Sequence, residues 1–161
     1  MAKVQKITPF LWFDGNAEEA VTLYTKVFNN SKIGQVMRNG EGGPGPKDSV
    51  LVMDFELEGQ QFHALNGGPM YKFTPAISFM VSCEDQTEVD RLWSKLTADG
   101  GKEVQCGWLE DRFGLSWQIV PRVFMEMIGD KDQAKVGRVM AAMMQMVKFD
   151  IEKLQAAYNG R

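Results

Sequence analysis

"NAEEAVTLYTKVF" (residues 16–28) and "DQTEVDRLWSKLT" (residues 85–97) are two versions of one helix, set 69 residues apart. Each opens on a good helix N-cap, Asn16 or Asp85, with a glutamate three positions on, Glu19 or Glu88, placed to reciprocate the cap. Leu23 then matches Leu92, Tyr24 matches Trp93, and Lys26 matches Lys95. Ala17, Ala20, Val21, Tyr24, Val27 and Phe28 form an apolar stripe at helical spacing in the first, and Val89, Leu92, Trp93 and Leu96 do so in the second. The segments around the two helices repeat as well. "ITPFLWF" (7–13) reads as a strand ending at Asp14-Gly15, and the helix after it ends near Asn29-Asn30. "SKIGQVMRN" is the next strand, "GEGGPGPKD" a loop, and "SVLVMDFELEGQQFHALNGGP" two strands joined at Glu58-Gly59. In the second half "TPAISFMVSC" (74–83) is a strand, Gly100 stops the helix, and short strands around Val104 and Trp108 precede "LSWQIVP" (115–121). A repeat in both sequence and element order indicates an internal duplication, here of a β-α-β-β-β unit.

The 40 residues after Pro121 read as helical. Asp130 or Asp132 caps a helix whose apolar side would hold Val136, Val139, Met140, Met143, Met144 and Val147, and Asp150 caps a short second one. Six of the eleven methionines lie in this region. Methionine at helical spacing fills gaps in cores, and a dimer contact is the other use that the pattern allows.

Composition narrows the function classes. With 161 residues and 44% hydrophobic content, one domain with a real core is expected. A net charge of -3 with no basic block leaves nothing to track nucleic-acid phosphates. Cys83 and Cys106 form neither a disulfide framework nor a thiolate zinc motif, which fits a reducing cytoplasm. The apolar stretch before Asp14 is too short for a signal-peptide core or a membrane span, so no membrane association is expected. The glycines at 40, 42 and 45 satisfy G-x-G-x-x-G literally. Pro44 and Pro46 lead from them into a strand rather than a helix, so no helix N-terminus waits for a pyrophosphate. No other glycine-rich strand-to-helix turn offers a place for S-adenosylmethionine. Asp111-Arg112-Phe113-Gly114 reads first as a turn and second as a source of Arg112 for an anionic ligand.

"PFLWFDGNAEEAVTLYTKVF", "GEGGPGP", "FHALNGGP", "ISFMVSCEDQTEVDRLWSKL" and "GWLEDRFGLSWQIVP" together resemble the PhnB-like branch of the vicinal oxygen chelate superfamily, often labelled 3-demethylubiquinone-9 3-methyltransferase. The likeness runs from Pro9 to Pro121. It implies an α+β fold of two tandem β-α-β-β-β modules (about 7–68 and 74–121) forming one domain over residues 1–121, with a C-terminal helical extension over 122–161. It also implies a cavity for a small organic molecule and a homodimer. Superfamily members commonly hold a divalent metal through one residue from each of four strands. Carried over residue by residue, those positions fall at Thr8 or Pro9, at His63, at Ala76 or Ser78, and at Gln118, so the usual set is incomplete.

The residues give their own reading of the site. Asp54 and Glu56 lie two apart on one strand and project to one face, while Leu51, Met53, Phe55 and Leu57 occupy the face expected to pack under a helix. His63 is the single histidine, suited by its ordinary chemistry to metal ligation or to general base work. Gln118 alternates with Trp117 and Ile119 and is expected to face the cavity with Ser116 and Thr8. Phe10 and Trp12 could supply an aromatic wall. Two functions stand open at this point. One is an enzyme, metal-assisted through His63, acting on a small organic molecule. The other is a dimeric protein that binds or sequesters such a molecule without catalysis.

Overall fold

A computed structural model describes residues 5–161; the first four residues of the leader reading lie outside them. Contacts divide the chain into two units, Met1–Lys72 and Phe73–Arg161. The first runs β1 (Phe10–Phe13), α1 (Ala17–Val27), β2 (Ser31–Arg38), β3 (Val50–Leu57) and β4 (Gln60–Asn66). The second runs β5 (Ser78–Cys83), α2 (Gln86–Thr97), β6 (Lys102–Glu103), β7 (Trp108–Glu110) and β8 (Ser116–Pro121), then α3 (Arg122–Ile128), α4 (Gln133–Met143) and α5 (Ile151–Tyr158). The strand orders are β1-β4-β3-β2 and β5-β8-β7-β6. In each sheet the first strand lies parallel to the last, and every other pairing is antiparallel. The duplication read from two helices therefore extends to topology.

In the first unit one sheet face packs under α1. Met53, Phe55 and Leu57 of β3 and Phe62 and Ala64 of β4 are buried, with Ala17, Ala20, Val21, Tyr24 and Val27 of the helix. Phe55 stacks on Phe62 at 5.1 Å between ring centroids. Glu58 and Gly59 both take positive φ, the turn that a two-residue hairpin needs to match strand twist. In the second unit Val89, Leu92, Trp93 and Leu96 of α2 are buried, as are Leu109, Trp117 and Ile119 of the sheet.

Three local expectations are corrected. Asn16 makes no side-chain cap on α1. The Ala17 N–H instead donates to Asn66 Oδ1 at 2.9 Å, so the cap comes from the end of β4, fifty residues on. Asp85 does cap α2 by accepting from the Glu88 N–H, but Glu88 answers at the N–H of Glu84, one residue earlier than a capping box has it. The first strand of each unit also starts three or four residues late. Pro9 has no N–H for the ladder, although its carbonyl accepts from His63 N–H, and residues 74–77 are held in a turn by Ile77 N–H to Thr74 O.

The helical extension is present with a different inner face. Of the stripe expected on α4, Val139 and Met143 are buried, whereas Met140 and Met144 are 38% and 57% exposed. The expected stripe runs on as one helix through Val147. In fact α4 ends at Met143, and the chain turns so that Met146 and Phe149 point inward beside Val120, Phe124, Met127 and Leu154. Methionines 127, 143 and 146 fill core gaps as expected; 125, 140 and 144 do not. Gln86 ties the extension to α2, donating to Phe149 O at 2.9 Å and accepting from Ile151 N–H at 2.8 Å.

Both cysteines are free thiols. Cys83 is fully buried, and desolvation, helped by the nearby negative charge of Glu88, pushes its thiol from 9.0 up to about 12. A thiol reagent at pH 8 is expected to modify Cys106 in the folded protein and Cys83 only after unfolding, read as one and then two thiols per chain. Since the folded thiol holds its proton longer than the unfolded one, the contribution of Cys83 to stability is complete below about pH 9 and is lost as pH rises toward 12.

Candidate functional site

The face of the first sheet opposite α1 carries most of the sequence-derived candidates. Register decides which of them meet. His63 on β4 lies directly opposite Asp54 on β3 and beside Phe10 on β1. Cross-strand partners project to the same face, so the three side chains form one row. His63 Nδ1 and Asp54 Oδ1 are 2.5 Å apart, with the side chains 36% and 41% exposed, and the Phe10 ring is tilted against the imidazole at 5.4 Å. The neighbouring row is Gln61, Glu56 and Lys32, in which Lys32 Nζ approaches Glu56 Oε2 at 3.5 Å. A groove of about 210 Å³ runs between these rows, lined by Lys32, Gly34, Asp54, Glu56, Gln61 and His63 among others.

Two features of this groove escaped the sequence reading. The β2–β3 register slips between Ile33 and Val36, a bulge opposite Asp54. At the bulge a Cβ on Gly34 would lie 3.1 Å from Asp54 Cβ, so the glycine leaves Asp54 its room. A glycine inside a strand is the signal that could have marked it. The pairing of Asp54 with His63 was also within reach. A two-residue turn at Glu58-Gly59 pairs residues 57 with 60, and counting outward sets 54 opposite 63.

Trp12 shares this face, but its indole is engaged: Nε1 donates to Gly68 O at 2.9 Å, the ring meets Tyr71 edge-on at 4.9 Å, and a Cβ on Gly67 would come within 2.4 Å of it. It anchors the segment after β4. Thr8 lies before β1, where Gln5 Nε2 reaches its Oγ1 at 3.4 Å and Gln61 O at 3.0 Å.

In the second unit Ser78 opposes Ser116, and Gln118 lies between Met80 and Trp108, all on the face opposite α2. Gln118 Nε2 donates to Ser78 Oγ at 2.9 Å, which turns the expected pair of polar positions into one hydrogen-bonded unit. Ser116 is buried and Gln118 half-buried. Ala76 falls in the turn before β5. Arg112, the other candidate for an anion, has its Nη1 on Asp99 Oδ2 at 3.2 Å and its guanidinium over the Phe113 ring. The loop carrying Gly40 to Gly45 joins β2 to β3 and folds around buried Asn39, whose amide bonds Ser49 Oγ and Gly45 N–H.

A metal of the kind that the resemblance implies needs three or four converging donors. Among the described residues no three His, Cys, Asp or Glu side chains form such a group. His63 has its Nδ1 on Asp54, Glu56 faces Lys32, and Gln118 donates from Nε2 to Ser78. These donors do not fit a divalent site.

Two β-α-β-β-β modules with one shared strand order, each keeping polar residues on the sheet face away from its helix, give the tandem-module α+β fold that the resemblance implied. The sequence pattern of the 3-demethylubiquinone-9 3-methyltransferase family matches residues 5–120, and the chain belongs to that PhnB-like family. A solved PhnB protein from Bacillus cereus, which bears the same methyltransferase label provisionally, is 39% identical, covering 73% of this chain and 99% of its own with a TM-score of 0.67. The Pseudomonas aeruginosa protein PA1353 shares the fold at 21% identity, covering 73% of this chain and 98% of its own with a TM-score of 0.60. No curated protein matches this chain. The family match ends before the helical extension. No helix among the described residues is long and apolar enough to cross a membrane.

Proposed function

We propose that this protein binds a small organic molecule on the uncovered face of its first sheet, with His63 as the polar centre and Phe10 as an apolar wall. The observation that carries this reading is the row Phe10, His63, Asp54, in which three strands bring an aromatic ring, an imidazole and a carboxylate together, the last two lining one groove. Thr8 and Glu56 would border that row; in the second unit, taken by itself, Ser78, Ser116 and Gln118 would offer a separate hydrogen-bonding surface. Trp12 would act by shaping the rim. The proposal includes a homodimer, for which the exposed Ile33, Val36 and Met37 on edge strand β2 speak, and a reducing cytoplasm, for which the two free thiols speak.

The methyltransferase description of the family is not part of this reading. The glycine loop of this chain joins two strands, so it supplies none of the strand-to-helix phosphate cradle that a dinucleotide-like cofactor uses. The incomplete donor set favours a second reading within the same site, binding or sequestration without chemistry.

Thermal unfolding of tag-free protein against a panel of small oxygen-bearing aromatic compounds tests the proposal. A ligand at 100 times its Kd is expected to add about 2.7 kcal/mol of stability. That gain should be lost in His63→Ala and be indifferent to EDTA. Equal stabilisation of the wild type and His63→Ala would place the ligand elsewhere, and a midpoint lowered by EDTA would mean that a metal supports the fold.

A further inference from the structure

We infer that His63 and Asp54 form a proton-handling dyad, with Asp54 as a positioning residue that fixes the imidazole tautomer and leaves Nε2 as the reactive atom. The inference rests on the binding reading above and adds a chemical role to it. Asp54, as a carboxylate, can only accept a hydrogen bond, so at 2.5 Å the Nδ1 of His63 must carry the proton. In the neutral ring the lone pair is then on Nε2. A neutral imidazole so arranged is a general base, and the carboxylate behind it offsets the charge that appears when Nε2 is protonated. Local structure holds the geometry: the two residues are direct cross-strand partners, the Phe10 ring packs against the imidazole, and the Gly34 bulge leaves space beside Asp54. Lys32, which lines the same groove as Asp54, is engaged with Glu56 instead.

A carboxylate-backed imidazole is also how metal-ligating histidines are held. Ligand count decides between the two roles, because no third His, Cys, Asp or Glu joins this pair among the described residues. The chemistry that remains is proton transfer. The fitting ligand presents a weakly acidic hydroxyl, or a C–H next to a carbonyl. Nε2 takes the proton, the bonding electron pair stays on the ligand oxygen or carbon, and the imidazolium gives the proton back to the same or a neighbouring atom.

One histidine per chain makes the test direct. In ¹⁵N-labelled protein with any affinity tag removed, two-bond ¹H–¹⁵N correlations report the state of both ring nitrogens without assignment ambiguity. The expected pattern, read after the pH has been raised until the ring is neutral, is a protonated, pyrrole-type Nδ1 and a lone-pair, pyridine-type Nε2. Asp54→Ala should lose that pattern and move toward the Nε2–H form. A neutral wild-type ring protonated on Nε2 rather than Nδ1 would overturn the dyad, as would an Asp54→Ala protein that keeps the wild-type pattern. One equivalent of Zn²⁺ should leave the Nε2 resonance in place, and its displacement would make His63 a metal ligand instead. None of these readouts needs a ligand. If the tautomer is as expected and no compound binds, the binding reading fails alone; if compounds bind through His63 and the tautomer is wrong, the dyad fails alone.

Discussion

Asp111→Ala is expected to destabilise the second unit by roughly 3–5 kcal/mol, read as a loss of free energy in urea unfolding. Asp111 is 2% exposed, yet it is polar throughout its contacts. Its Oδ1 accepts from the N–H groups of Phe113 and Leu115, its Oδ2 accepts from Trp117 Nε1 at 2.9 Å, and its carbonyl closes the turn by accepting from Gly114 N–H. Removing the carboxylate leaves three donors in or near the core without that acceptor, each costing about 1–3 kcal/mol, with some recovered by relaxation or water. Asp111→Asn should lose less, because one amide oxygen can still serve the backbone donors while the NH₂ group meets the Trp117 N–H badly. Trp117→Phe combined with Asp111→Ala should cost less than the sum of the single changes, since both remove the same hydrogen bond. An Asp111→Ala protein within 1 kcal/mol of wild type would refute this account of the turn.

Gly107→Ala is the second large effect, at about 2–5 kcal/mol. Gly107 has φ of +80°, where an L side chain is strained by about 1–2 kcal/mol, and the added methyl would lie 2.3 Å from the Phe149 ring. Phe149 is buried in the core of the extension and packs on Phe124 at 4.8 Å, so it has little room to withdraw. The same corner holds the extension by backbone bonds, Cys106 N–H to Met146 O and Gly107 N–H to Val147 O, both 2.8 Å. Hydrogen exchange should therefore quicken at residues 106 and 107 and through the segment around Phe149. Gly137→Ala is the control: it meets nothing within 4 Å inside α4 and should be neutral or stabilising by up to about 1 kcal/mol. Equal behaviour of the two variants would mean that the Gly107 contact is not tight.

The module plan was legible because it is written in local periodicity. The stripes of α1 and α2 are buried residue for residue as read, and the Glu58-Gly59 turn falls between its strands. The site was legible in part. His63, Asp54, Glu56 and Phe10 were each identified, but as separate candidates, and the tie between Gln118 and Ser78 was not foreseen. What failed were relations between distant residues. Asn66 rather than Asn16 caps α1, and Met140 within α4 and Met144 just past its end face outward where the stripe was expected to bury them.

From its sequence alone this protein's duplication, its α+β class and the alternation of its strands were determined, since helix and strand periods are properties of neighbouring residues. Its tertiary structure decided which polar side chains pair. A hydrogen bond such as that between His63 and Asp54 depends on strand register to within one residue, and a slip of one would have sent the two groups to opposite faces of the sheet. The same holds for the metal question. Residue types allowed a ligand set to be imagined, while the positions of those residues bring no three His, Cys, Asp or Glu side chains together among the described residues.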